Sequence, residues 1–204
     1  MAIGPILETE RLVLRPPAKE DLPAWNAFHS DPEVMAHLGG VQGPELTWRS
    51  VCGMAGAWTI EGFSMFSVIE KSTGAWVGRL GPWRPAGWPG TEIGWGLARS
   101  AWGKGYATEG ASAAMDYVVD ILGWTEIIHT ILPENVGSIR VAERLGSRYL
   151  RKEKTPPPIE GMMWDVYGQT ADEWRGRRAH APSDAASSSS SCGGGGAAVG
   201  AGAG

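Results

Sequence analysis

Trp102-Gly103-Lys104-Gly105-Tyr106-Ala107-Thr108-Glu109 is the stretch on which the fold is decided. It follows a strand-like segment, Thr91 to Leu97, and opens into a helical pattern that runs to Leu122. A Gly-rich turn feeding a helix N-terminus gathers several backbone N–H groups around one point, at the positive end of the helix dipole. That arrangement suits a phosphate. Two nucleotide motifs fail against it. A P-loop needs Ser or Thr after its Gly-Lys pair, and here Gly105-Tyr106 follows Lys104. A Rossmann turn needs a small residue at the sixth position, which from Gly103 is Thr108. Asp120 and Glu126 lie at about the distance of a ribose ligand, but at a helix end and a strand start.

The order strand, x-x-x-Gly-x-Ala turn, helix resembles the pyrophosphate loop of the GCN5-related N-acetyltransferases. Two further blocks carry the same resemblance. Upstream, Thr9-Glu10-Arg11-Leu12-Val13-Leu14-Arg15 and Asp31-Pro32-Glu33-Val34-Met35 look like the opening of the ribosomal-protein N-acetyltransferase-like branch. Downstream, the segment from Pro133 to Gly146 looks like its coenzyme-binding segment. The blocks keep the family's order and cover roughly residues 8 to 174. The resemblance implies a single α/β (α+β) domain whose central mixed, mostly antiparallel sheet is flanked by helices and splays into a V-shaped cleft for acetyl-coenzyme A. It implies direct transfer of the acetyl group to a primary amine, on a protein N-terminus or a small molecule, without a metal. A coenzyme-binding sensor module with little transferase activity is the alternative, and retention of Glu92 and Ser138 argues against it. One departure stands out: the family's segment usually ends Leu-Gly-Phe, and here it ends Leu145-Gly146-Ser147, leaving Tyr149 to fill the aromatic's place.

Residues 1–180 are expected to form the domain and 181–204 a disordered tail, because the latter are almost all Ala, Ser and Gly. The two cysteines, Cys52 and Cys192, give no disulfide framework. A cytoplasmic setting follows, with Cys52 read as a small core residue. No apolar run approaches the roughly 18 residues that would span a bilayer, and no signal peptide is evident. The net charge of −4 gives no general pull toward nucleic acid. Arg175, Arg177 and Arg178 read as a solvated domain end. A homodimer is allowed by the family resemblance.

Periodicity places strands at Leu12–Leu14, Phe63–Glu70, Trp76–Leu80, Thr91–Leu97, Thr125–Leu132 and Met162–Tyr167, and helices at Ala18–His29 and Pro44–Trp58. The helix after the loop puts Ala107, Ala111, Ala114, Val118 and Leu122 on one face. Asn135 reads as the N-cap of the next helix and Gly146 as the residue just past its end.

Acetyl transfer requires a neutral amine. A lysine-like amine costs about 4.6 kcal/mol to deprotonate at pH 7, an α-amine about 1.4 kcal/mol. Glu92, on the strand before the loop, is the candidate base, placed by alternation on one face with Gly94 and Gly96 and opposite Ile93, Trp95 and Leu97. The resemblance makes Ser138 the partner of the departing thiolate and Asn135 a contact for the pantetheine arm. It assigns the backbone of Leu97 and Ala98 to the pantetheine amides, and Trp102, Gly103, Lys104, Gly105, Tyr106, Ala107 and Thr108 to the pyrophosphate. Arg140, or Arg144 one turn on, is a candidate for the 3′-phosphate. Trp83 and Trp88, in a Pro/Gly-rich connection, are candidates for the wall of an acceptor pocket. His29, His37 and His129 have no metal-like spacing, and His129 reads as a satisfied internal residue.

Overall fold

The computed structural model describes residues 4–155 and 161–180, so the tail expected at 181–204 lies outside the described residues. An eight-stranded sheet runs in the order β1-β2-β3-β4-β5-β6-β8-β7. The strands are β1 (Leu7–Glu8), β2 (Leu12–Arg15), β3 (Phe66–Glu70), β4 (Trp76–Trp83), β5 (Glu92–Leu97), β6 (Glu126–Ile131), β7 (Arg148–Lys154) and β8 (Met163–Thr170). The helices are α1 (Leu22–Ser30), α2 (Pro32–Met35), α3 (Pro44–Ile60), α4 (Tyr106–Asp120), α5 (Val136–Arg144) and α6 (Ala171–Ala179). Every neighbouring pair is antiparallel except β5 and β6. A parallel pair needs a long crossover, and α4 supplies it. Its apolar stripe, Ala111, Ala114, Met115 and Val118, is fully buried in one core with Leu12, Leu80 and Ile93. A second cluster, Trp25 of α1, Val51 and Met54 of α3, and Met65, is built from the first helices.

Several expectations shift. The first helix begins at Leu22, because Lys19–Asp21 form a 3-10 turn in which Asp21 is buried. Its carboxylate binds Arg15, Ser67 Oγ and the Ala18 N–H. β7 was not legible in the pattern: it is a sheet edge with nearly every residue exposed, so nothing forces alternation. Cys52 is exposed, not core, because α3 buries Thr47, Val51, Met54 and Trp58, and residue 52 falls off that stripe. The arginines near the end belong to a helix, on which Arg175 and Arg177 are exposed as a solvated domain end requires and Arg178 is half-buried. They lie on α6, where Arg178 bridges Asp116 and Asp120 of α4, and Arg177 donates to the Arg144 carbonyl. Among the described residues no helix is long and apolar enough to cross a membrane, and no cluster of His, Cys, Asp or Glu could hold a metal ion.

Candidate active site

The turn before α4 is built by two glycines in the left-handed region, Gly103 at φ +73° and Gly105 at φ +82°. Gly105 is the N-cap residue, and a side chain there would be strained. Glu109 N–H is the first to close onto the helix, at the Gly105 carbonyl. The N–H groups of residues 103–108 have no partner among the described residues. A lock holds the turn from behind. Arg11 donates to the Lys104 carbonyl and pairs with Glu109, while Thr9 Oγ1 and Arg11 N–H both donate to the Glu109 carboxylate. The opening block of the sequence thus neutralises the acid in the helix's first turn, where an anion would otherwise be repelled. Lys104 does not reach over the turn: its ammonium lies 3.7 Å from Glu70 and above the Tyr106 ring. Trp102 donates to the Leu97 carbonyl.

The cleft comes from the parallel pair. β5 and β6 match only at Glu92 opposite Ile128, with Ile128 N–H on the Thr91 carbonyl. In a continued parallel ladder, Thr130 N–H would bond the Ile93 carbonyl. Instead Thr130 N–H donates to Glu92 Oε1, 3.3 Å away, and the Ile93 carbonyl accepts from His129 Nδ1 at 2.7 Å. Each orphaned ladder group is satisfied by a side chain, and the strands part. Ala98 donates to Val77 of β4, which turns it and the alternate residues of β5 away from the cleft. Ile93, Trp95 and Leu97 therefore direct their backbone groups to the side from which β6 diverges. Ala98 N–H, expected at the open edge with Leu97, is thus committed to β4, and the Leu97 carbonyl is held by Trp102.

His129 is fully buried, and burial lowers its pKa to about 4. It is neutral, with the proton on Nδ1 because a carbonyl can only accept. Its Nε2 accepts from Ser147 Oγ, which accepts in turn from Gln169 Nε2. Ser147 leaves no gap for an aromatic ring: it is a buried member of this chain. Tyr149, expected to fill that place, is 49% exposed and packs edge-on against Tyr167.

Glu92 and Ser138 line one cavity at the mouth of the splay, with Asn135 beside them. Glu92 is 6% exposed. Trp88 Nε1 donates to its Oε2, and Thr130 Oγ1 lies 3.0 and 3.1 Å from its two oxygens. Burial raises its pKa to about 7, against these hydrogen bonds and the charge of Arg79, which lower it. Its neighbour on the same face is tightly packed, since a Cβ on Gly94 would lie 2.8 Å from Met65 Cε and 3.3 Å from Glu92 Oε1, and Met65 would have to shift. Asn135 caps α5 by accepting from Ser138 N–H. Ser138 is thus not the cap: its Oγ accepts from Trp95 Nε1 at 3.2 Å, which leaves the hydroxyl proton to donate elsewhere. Arg140 and Arg144 are exposed on α5 and have no acidic partner among the described residues. Trp83 and Trp88 both line the cavity, and Trp88 packs on Trp164 at 4.9 Å between ring centroids.

Thr130, Trp95 and Arg79 were not singled out from sequence. Thr130 depends on the Glu92–Ile128 register, which a single sequence does not fix. Arg79 left a signal: a charge inside the apolar run Trp76–Leu80.

Residues 11–148 match the model of the acetyltransferase (GNAT) domain. The uncharacterized N-acetyltransferase p20 of Bacillus licheniformis is 31% identical over 164 residues, 79% of this chain and 92% of its own length. The crystal structure of an acetyltransferase from Agrobacterium tumefaciens superposes with a TM-score of 0.70 at 31% identity, covering 81% of this chain and 94% of that one. The ribosomal L7/L12 α-N-protein acetyltransferase RimL, solved with coenzyme A, shares the fold at 18% identity and a TM-score of 0.68, covering 83% and 99% of the two chains.

Proposed function

Because the chain belongs to the GNAT acetyltransferase family, we propose that it moves the acetyl group of acetyl-coenzyme A directly onto a primary amine, with Glu92 as base and Ser138 as partner of the departing sulfur. The observation that carries this is a pair of unlike halves, one at each end of β5. One half is a turn whose unpartnered N–H groups suit a pyrophosphate. The other is a buried carboxylate with pKa near neutrality. The coenzyme's pyrophosphate fits residues 103–108, and its pantetheine amides fit the backbone groups of Trp95 and the Leu97 N–H, the Leu97 carbonyl being held by Trp102. Arg140, exposed on α5, is the candidate for the 3′-phosphate.

With the thioester held in the cleft, the amine attacks the acetyl carbonyl and the C–S bond breaks. The amine's proton passes to Glu92, directly or through one water, and the Ser138 hydroxyl donates to the leaving sulfur. Half of Glu92 is ionised near pH 7, so base strength and availability are balanced there. Calorimetry with acetyl-coenzyme A, followed by thiol release and mass spectrometry over a panel of α-amines, ε-amines and polyamines, tests this reading. Binding without transfer to any amine would leave a coenzyme-binding module.

A further inference from the structure

Arg79 is a half-buried cation without an oxygen partner among the described residues. It stands in the middle of β4 opposite Gly96 of β5, on the sheet face that carries Glu92 and Gly94. Among the described residues its side chain has one hydrogen-bond partner, the Met65 thioether, and its Nε is buried with none. It lines the cavity that holds Glu92, yet the two charges form no ion pair. Their Cα positions are about 14 Å apart, four residues along and one strand across. Burial lowers the Arg79 pKa to about 10, so the group stays charged at neutral pH. A second buried polar atom lining the same cavity, His37 Nδ1, also lacks a partner. Trp83, Trp88 and Trp164 supply its apolar wall.

We propose that the acceptor is an amino acid with an apolar or aromatic body, its amine directed to Glu92 and its carboxylate bound by Arg79. This rests on the acetyl-transfer reading and narrows its substrate. A guanidinium fork matches a carboxylate in two parallel hydrogen bonds, and its strength grows in a cavity with little water. The spacing of Arg79 and Glu92, too wide for a pair of their own, leaves room for a zwitterion between them. In the tautomer that carries its proton on Nδ1, His37 adds a donor for the same carboxylate. A polyamine is disfavoured, because its second ammonium would meet Arg79. The tryptophans take the side chain, which gives the three-point contact of amine, acid and body.

The test uses the full chain at saturating acetyl-coenzyme A, with thiol release as readout and rates expressed per neutral amine. The acceptors are the common L-amino acids and, for the best of them, its carboxamide, its decarboxylated amine and a dipeptide that begins with it. The amino acid should exceed its decarboxylated amine in kcat/KM on the order of 10²-fold, because a site built around a charge rejects a ligand that leaves the charge unpaired. Arg79→Gln should shrink that ratio to within about 3-fold, and Arg79→Lys, which keeps the charge without the fork, should fall between. Equal turnover of the decarboxylated amine by the wild type would overturn the proposal, as would preference for the dipeptide or for a polyamine, or no turnover of any amino acid. Failure to bind acetyl-coenzyme A, or to transfer to any amine, would instead strike the acetyl-transfer reading itself. Wild-type discrimination decides the matter even if an Arg79 variant does not fold.

Discussion

The turn at residues 103–108 and the cavity around Glu92 are built by opposite means. The turn is backbone: contiguous residues, two left-handed glycines and a helix end, with side chains serving only to lock it from behind through Arg11 and Glu109. The cavity is side chains: Arg79 from β4, Trp88 from a loop, Glu92 from β5, Thr130 from β6, Ser138 from α5 and Trp164 from β8. A backbone site recognises what all acetyl donors of this kind share. A side-chain site can change with one substitution, and so suits the part of the reaction that distinguishes one acceptor from another. The two should therefore respond to mutation in different currencies: coenzyme affinity for the turn, rate and pH dependence for the cavity.

The largest effect is expected at the turn. Gly105→Glu places a side chain at φ +82° and a negative charge beside the free N–H groups. Coenzyme A affinity should fall by more than about 10²-fold, with the fold intact by circular dichroism. Unchanged binding by calorimetry would show that the anion sits elsewhere and would dissolve the contrast between the two regions. Next comes the base. Glu92→Gln keeps the shape and removes the charge, so kcat/KM at neutral pH should drop by about 10²-fold while coenzyme affinity holds. The wild-type profile should rise through about pH 7, where Glu92 ionises, and the variant should lose that limb. Part of the variant's activity should return at high pH, where the amine loses its proton unaided. Wild-type-like rates across the profile would remove Glu92 from the chemistry.

The same contrast explains what the sequence made legible. Contiguous features were readable: the glycine turn, the α4 stripe, the Asn135 cap and Gly146 beyond α5, because each is a local pattern with a local cause. Glu92 was readable only by its place before the turn, and nothing local showed that Trp88 and Thr130 would hold it. Those contacts follow from register and loop closure, which span 38 residues between Glu92 and Thr130. The Ser147 substitution misled for a related reason. An aromatic missing from a familiar pattern looks like a hole to be filled by Tyr149, but His129 and Gln169, far off in the chain, turn the position into a polar link. Cys52 failed on a smaller scale, through helix phase, and α6 was concealed by its charged composition.

A smaller effect is expected at Ser138, where the structure separates two roles. Asn135 Oδ1 is the cap of α5, so Asn135→Ala should cost stability of about 1 kcal/mol. Ser138→Ala leaves that bond in place and removes only the hydroxyl that meets Trp95. Its melting temperature should barely move, while kcat should fall about 10-fold at constant coenzyme affinity. A stability loss without a rate effect would return Ser138 to the structural side.

The smallest effect tests how finely the cavity is tuned. Trp88 donates its indole N–H to Glu92 Oε2, and a donor to the ionised form holds a carboxyl pKa down. Burial is the larger influence and raises the pKa to about 7 despite that donor. Trp88→Phe keeps an aromatic ring against Trp164 and removes the N–H. The Glu92 pKa should then rise further, by about one unit for a hydrogen bond to a charged group. Because the base works only when ionised, the rising limb of the rate profile should move to higher pH by the same amount. At pH 7 the ionised fraction would fall from about a half to about a tenth, a roughly 5-fold loss. Well above pH 9 wild type and variant should converge, since both carboxylates are ionised there. A limb that stays in place, with a loss equal at every pH, would mean that Trp88 shapes the acceptor's seat and does not set the base. A limb that moves to lower pH would contradict the sign of the hydrogen bond and take the tuning of Glu92 away from Trp88. Coenzyme affinity, which we propose is set by the turn at residues 103–108, should be the same in both proteins, and that constancy is what separates the two regions most sharply.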